Sequence, residues 1–219
     1  MILVPALALK PATPPTTWDP ANKDAAIALS GGNLIATISG AGWKSVIGTG
    51  TGKTSGKWYF RVSGTVGNSS YITGAICTKT EPTSSYVGAS DANGWISYAQ
   101  VTGVNTTSAI QNNGTVLAVN ARWTHAVASG DWTVCAYDAD NGKIWFTGMT
   151  AAGSLDTQWN WNGSAGGSPA TGSGGFSLTV TPGTALLPAA SLLTSGDAMT
   201  LDVSTVVSDS TLTGFSPWG

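Results

Sequence analysis

The chain has 219 residues, a formal net charge of −2, and only 9% charged side chains. This composition lacks the clustered positive charge needed to neutralise phosphates, so it argues against nucleic-acid binding. The 29 glycines and a single glutamate, Glu81, favour strands and turns over charged amphipathic helices, and the weak net charge suits a protein held in an assembly.

Residues 1–16 are interpreted as an extended arm. The opening stretch is apolar, but it lacks a basic start and is interrupted at Pro5, unlike a signal peptide. No stretch approaches the roughly 18 apolar residues of a membrane span. Prolines at 11, 14 and 15 stiffen the arm, and its apolar side chains require a partner surface. We expect these residues to serve assembly: Ile2, Leu3, Val4, Leu7 and Leu9.

Apolar residues alternate with polar ones from about residue 33 onward. The clearest strand covers 56–63, where Trp58, Phe60 and Val62 share one face. Similar short runs bounded by turn residues occur at 34–38, 43–47, 71–77, 95–98, 116–119, 133–137, 143–146, 176–180, 186–193 and 199–203. Many short strands at this spacing predict one all-β sandwich domain over 17–219.

Two loops stand out between these strands. Asn141-Gly142 lies between two strand-like runs and predicts a tight turn that makes the flanking strands adjacent and antiparallel. The stretch 159–175 is rich in Gly, Ser and Ala and is interpreted as a long surface loop.

Motifs that suggest catalysis or metal binding have the wrong residue spacing or too few of the required residues. The run 48–54 ends in Gly-Lys-Thr, but a phosphate-binding loop would need glycine at Ile47, and a strand follows instead of a helix. Asp138 and Asp140 begin a calcium-like loop whose twelfth position is Met149. His125 is the only histidine, so we expect a lone strand or edge residue, and we predict no catalytic site, metal or cofactor.

Cysteine and tryptophan leave alternatives open. Cys77 and Cys135 fall in apolar runs and are either two buried free thiols or one bridge between strands. Trp159 and Trp161 lie in the polar loop, where they form a structural plug, a protein interface or a glycan contact. The candidate contact residues for a ligand or partner are Tyr86, Trp95, Tyr98, Trp159 and Trp161.

Several pieces, taken in order, resemble the SPRY-like domains of bacteriophage and prophage structural proteins. These pieces lie at 17–23, 29–34, 55–60, 86–88, 91–95, 130–132, 138–146, 187–192 and 213–219. The resemblance implies a bent antiparallel β-sandwich, similar to the concanavalin-like jelly roll, that acts as a binding platform without enzyme activity. Arg61 departs from the pattern, because such domains usually carry glutamate there.

The resemblance and the arm together lead to two functional hypotheses. The first is a virion structural protein of a capsid surface, fibre or tail, located in the virion and partnered by other virion proteins and by copies of itself. The second is a lectin-like domain that binds a host glycan or receptor through the aromatic residues named above.

Overall fold

The computed structural model describes residues 15–67, 70–101, 108–119, 125–156, 158–161 and 166–219. Within these ranges the regular structure is β-strand, apart from one 3-10 turn at Ser210–Leu212, which confirms the predicted all-β class. The strands in chain order are β1 (Trp18–Lys23), β2 (Ile27–Ser30), β3 (Ile35–Ile38), β4 (Lys44–Gly48), β5 (Lys57–Thr65), β6 (Tyr71–Cys77), β7 (Gly94–Gln100), β8 (Ser108–Asn112), β9 (Thr115–Val119), β10 (Trp132–Asp138), β11 (Lys143–Met149), β12 (Phe176–Ser177), β13 (Leu187–Leu192), β14 (Ala198–Asp202) and β15 (Ser216–Pro217).

The strands form two sheets. The first sheet has the order β1-β4-β13-β6-β7-β8-β9, and the second has the order β12-β11-β10-β5-β14-β3-β2. Neighbouring strands are antiparallel throughout, except that β15 pairs with β5 in parallel. The predicted antiparallel sandwich is therefore confirmed.

The main core lies between the sheets, and its largest buried side chains include Trp18, Trp95 and Trp218. The sheets approach closely where Gly74 of β6 faces Thr133 of β10. A Cβ atom at Gly74 would lie 2.7 Å from the Thr133 side chain, so only glycine fits there without a shift. The two layers are therefore in direct contact at this position.

Sequence reasoning missed four strands, β1, β2, β8 and β15. In β1 the cause is composition, since its sequence is polar and contains Pro20, which has no backbone N–H to donate. Because β1 is an edge strand that pairs only with β4, the missing donor is tolerated there. The run predicted at 176–180 is shorter than expected and forms only β12.

The predicted hairpin around Asn141-Gly142 is confirmed in its topology. β10 and β11 pair antiparallel, with Asp138 opposite Lys143. The turn is looser than expected, because only Gly142 has a positive φ, of 59°. The Asp138 carboxylate instead closes the turn by accepting from the backbone and side-chain N–H groups of Asn141, at 3.0 and 2.8 Å.

Both cysteines are free and buried, which decides between the two alternatives. Cys135 lies in the core between the sheets, whereas Cys77 lies in a second cluster on the outer face of the first sheet. Burial raises the pKa of both thiols, so neither is a reactive thiolate at neutral pH.

The chain's own C-terminal part covers the outer face of the second sheet. Tyr59 of β5 contributes to this packing, since its hydroxyl accepts from the backbone N–H of Val207 at 2.9 Å. On the same face Arg61 makes an ion pair with Asp202 at 2.7 Å and lies over the Trp132 ring at 4.2 Å. The unexpected arginine is thus fully used within the fold.

Two points concern the arm and the membrane. The proposed assembly residues Ile2, Leu3, Val4, Leu7 and Leu9 lie outside the described residues. In the part of the chain that the structure describes, no helix has the length and apolarity needed to cross a bilayer.

Candidate binding site on the first sheet

Two tyrosines project from the outer face of the first sheet. Tyr71 begins β6, and Tyr98 lies on β7 opposite Thr73. Side chains alternate across a strand, so Tyr71, Thr73 and Tyr98 share this face. The two tyrosine rings meet edge to face, with centroids 5.5 Å apart and planes at 87°.

Two further aromatic residues come from outside the strands. Trp43 precedes β4, and its ring centroid lies 5.5 Å from that of Tyr71 and 5.7 Å from that of Tyr86. Tyr86 belongs to the connection between β6 and β7, residues 78–93, which we call the cover segment. These rings surround a small cavity, the aromatic pocket, of about 170 Å³. Its lining residues are Trp43, Tyr71, Tyr86, Ile96, Tyr98 and Gln111.

Hydroxyl groups beneath the cover segment hold it against the sheet. Ser45 of β4 and Ser191 of β13 lie side by side, with their hydroxyl oxygens 2.9 Å apart. The Ser45 hydroxyl donates to the carbonyl of Ser85 at 2.6 Å, and the backbone N–H of Val87 donates to the Ser191 hydroxyl at 3.1 Å. Tyr86 lies between these two anchored residues, so its ring is positioned before any ligand arrives.

The single glutamate of the chain lies at the base of the cover segment. Glu81 is buried, and its Oε1 accepts from the backbone N–H of Gly88 at 2.6 Å. Its Oε2 is buried without a hydrogen-bond partner among the described residues. Burial, aided by the neighbouring Asp91, raises the pKa of Glu81 to about 8. The carboxyl group is therefore largely protonated at neutral pH.

The structure brings together only two of the five predicted contact residues. Tyr86 and Tyr98 both line the aromatic pocket, whereas Trp95 points inward from β7 and is fully buried in the core. Trp95 was assigned to the wrong face, because the alternation places it and Tyr98 on opposite sides of the same strand.

The tryptophans of the long loop lie elsewhere. Trp159 is fully buried on the outer face of the second sheet, and its indole N–H donates to the Thr211 hydroxyl at 2.8 Å. Of the three alternatives left open for Trp159, its complete burial fits the structural plug, and its choice as a candidate contact residue is wrong. Trp161 is partly buried, and its role in binding stays a prediction.

Two pocket residues, Trp43 and Tyr71, were not recognised as site residues from the sequence. Each lies at the start of a predicted strand, where an aromatic side chain is equally suited to the core. Alternation along each strand could have placed Tyr71 and Tyr98 on the outside. Only the pairing of strands distant in sequence shows that they meet.

His125 is not the lone residue that its sequence context suggested. Its Nδ1 lies 3.1 Å from the Asp156 carboxylate, and its Nε2 lies 3.2 Å from the Asp131 carboxylate. A histidine base needs one nitrogen directed at the nucleophile, but here a carboxylate faces each nitrogen. Asp131 also accepts from the backbone N–H groups of Ala128 and Ala151, both at 2.8 Å, so the cluster ties loops together.

The acidic side chains of the calcium-like loop are candidate metal ligands because of their spacing. Over the described ranges, no group of three or more His, Cys, Asp or Glu side chains is arranged to hold a metal ion. Asp138 and Asp140 of the calcium-like loop have other roles, since Asp138 pairs with Lys57 at 3.2 Å and Asp140 accepts from the backbone of Gly56 at 2.8 Å.

Comparison with known proteins shows which folds this chain is similar to. No protein-family profile and no curated protein sequence matches the chain. Among solved structures, it is similar to the PSpry domain of TRIM65, with a TM-score of 0.56 and 15% identity over 85% of this chain and 88% of that one. This chain has a SPRY-like fold. It is also similar to the SPRY domain of human HERC1, with a TM-score of 0.50 and 16% identity over 84% of this chain and 96% of that one.

The likeness supports the SPRY part of the sequence resemblance. At this level of identity it concerns the fold, and neither neighbour is a bacteriophage protein. Within the SPRY-like fold of this chain, the aromatic pocket is built from β6, β7, β8, the cover segment and the residue before β4.

Proposed function

We propose that this chain is a non-catalytic interaction domain that docks a partner at its aromatic pocket. The observation that carries this proposal is the convergence of four aromatic side chains, from four separate segments, on one cavity. Tyrosine and tryptophan dominate the binding energy of many interfaces. The cavity, at about 170 Å³, is smaller than a typical small-molecule site and suits one side chain of a partner.

Three further observations support a non-catalytic role in binding. The cover segment is already hydrogen-bonded to the sheet, so little ordering of Tyr86 is needed when a ligand binds. The one histidine has a carboxylate at each nitrogen, which argues against a role as a general base. The two solved structures to which this chain is similar are both SPRY domains, a class of interaction module.

Replacing Tyr98 with alanine should abolish most binding at the pocket. Peptides that bind the unaltered domain are selected from a random library, and calorimetry measures their Kd for the unaltered domain and for the variant. We expect a loss of about 2 kcal/mol, or roughly thirtyfold in Kd, because the ring forms one wall. The comparison variant is Trp161→Ala, which changes the remaining candidate contact residue in the loop after β11. Docking at the aromatic pocket predicts an unchanged Kd for this variant. Losses confined to Trp161→Ala would place docking at that loop and overturn the proposal.

We also propose, on a separate basis, that the domain is a structural component of a virion. This proposal is supported by the ordered resemblance to bacteriophage SPRY-like proteins, by the low charge and by the apolar N-terminal arm. In that setting the arm anchors the domain to other virion proteins, and the pocket faces a protein partner. A host glycan is the second candidate ligand, because aromatic rings also stack on sugars.

Deleting residues 1–14 should prevent incorporation into particles while leaving the domain folded. The deletion removes the apolar arm that would contact the partner surface, whereas none of the strands includes these residues. Immunoblots of purified particles measure incorporation, and circular dichroism of the deleted protein checks the fold. Normal incorporation of the folded deletion variant would refute the anchoring role.

A glycan array tests the second candidate ligand, a host glycan. This candidate requires saturable glycan binding that the Trp43→Ala substitution removes.

A further inference from the structure

The described residues that line the aromatic pocket carry no charge. Among the described residues the lining consists of four aromatic rings, Ile96 and Gln111, with no acidic or basic side chain. The nearest lysine in sequence, Lys44, directs its ammonium group to Asp24 at 3.7 Å and to the Ser84 carbonyl at 3.3 Å. A charged ligand group would therefore find no opposite charge in the lining, which favours a neutral occupant.

The lining combines flat rings with hydrogen-bond donors. The phenol groups of the tyrosines and the amide of Gln111 surround the cavity, and the Gln111 amide already donates to the Tyr98 hydroxyl at 2.9 Å. Proline-rich segments present rigid apolar rings together with backbone carbonyls that have no internal hydrogen-bond partner. Aromatic grooves with such donors recognise these segments at low entropic cost.

The chain itself contains such a segment directly before the folded domain. Residues 10–15 read Lys-Pro-Ala-Thr-Pro-Pro, which places Pro11 and Pro14 three residues apart. This is the Pro-x-x-Pro spacing at which successive prolines lie on one edge of a polyproline helix. The segment carries no acidic residue and a single lysine.

Chain geometry prevents the two prolines of this segment from entering the pocket of their own domain together. β1 begins with Trp18 opposite Gly48, and Trp43 lies beyond the other end of β4. Five strand residues separate these ends by about 16 Å. Pro14 is two residues from Thr16, which would lie 3.1 Å from a Cβ atom at Gly48. Pro14 can therefore extend only about 7 Å from Thr16, whereas Pro11, five residues away, could extend about 17 Å. Because Pro14 falls short of the pocket, the two prolines can bind there together only in a second copy.

We propose that the aromatic pocket of one copy binds the proline-rich segment, residues 10–15, of a second copy. This inference rests on the proposed docking function of the pocket and names its occupant. The domains would then associate through an exchanged arm. Such an association suits a protein of low net charge.

The test uses the full chain carrying Pro11→Ala and Pro14→Ala, so that its own segment no longer competes. Sedimentation of the unaltered chain should show concentration-dependent association, and the double variant should be monomeric. The matched control is Pro5→Ala, which changes a proline outside the segment and should associate normally. A synthetic peptide of residues 8–17 should bind the double variant saturably, and adding Tyr98→Ala should weaken this at least tenfold.

The possible failures are distinguishable. If the peptide does not bind while library peptides do so in a Tyr98-dependent manner, the self-docking inference is wrong and the docking function is retained. If neither binds, both fail. If a glycan occupies the pocket in a Tyr98-dependent manner and the peptide does not compete, the occupant is a sugar and the inference is overturned.

Discussion

Replacing Trp159 with alanine should lower the free energy of unfolding by about 3 to 5 kcal/mol, the usual cost of emptying a fully buried aromatic site. The ring is 0% exposed and packs with Trp145, Met149 and Leu212 over the second sheet. The substitution also removes the donor to the Thr211 hydroxyl. Urea unfolding measures the change, and the melting temperature should fall by about 10 °C for a domain of this size.

The matched control lies two residues away. Trp161→Ala removes the same side chain from the same Trp-Asn-Trp stretch, but Trp161 is only partly buried. We expect a loss of roughly 1 kcal/mol or less, because the ring leaves no closed cavity. Equal losses for the two variants would contradict the assignment of Trp159 as a structural plug.

Raising the pH from 5 to 9 should destabilise the protein through Glu81. Its pKa in the folded protein is about 8, whereas an unfolded chain has the ordinary value near 4.5. The folded state therefore favours the protonated form. This contribution is complete below the unfolded pKa and is lost as the pH rises through the folded pKa.

The size of the effect follows from the difference in proton affinity. Each tenfold difference in proton affinity between the folded and unfolded states corresponds to about 1.4 kcal/mol. We therefore expect the free energy of unfolding to fall by about 2 to 4 kcal/mol across this pH range. Glu81→Gln keeps the acceptor for the Gly88 N–H and cannot ionise. Its unfolding free energy should lack this component, so the difference between the two proteins should grow with pH.

Chemical denaturation of both proteins at several pH values tests this prediction. Other titrating groups are common to both proteins and cancel in the difference. A difference that is constant between pH 5 and 9 would show that Glu81 is ionised in the folded state. Asp91→Asn is a second check, because removing the neighbouring acid should lower the pKa of Glu81 and shift the loss to lower pH.

The Glu81 effect also connects stability to the pocket. The glutamate accepts from Gly88, which is two residues beyond Tyr86 in the cover segment. Ionisation would place an uncompensated charge under this segment, since Oε2 has no hydrogen-bond partner among the described residues. Affinity at the aromatic pocket should therefore fall together with stability at high pH.

Strands that bury only one face were predictable from the sequence. In β5, Phe60 and Val62 alternate with less buried residues, and this period of two persists wherever one face meets the core. The edge strand β1 escaped recognition, because its polar, proline-containing sequence shows no alternation and its pairing with β4 is a long-range contact. His125 shows the same limit, since Asp156 is 31 residues away in the chain.

Composition and alternation were sufficient to establish an all-β sandwich that is poor in charge, because hydrophobic periodicity reports which residues are buried. Tertiary structure alone decided which aromatic residues are available to a ligand. Trp95 and Tyr98 belong to one strand, yet one fills the core and the other lines the pocket. The pocket exists because strand register and the anchored cover segment bring Trp43, Tyr71, Tyr86 and Tyr98 together from distant parts of the chain.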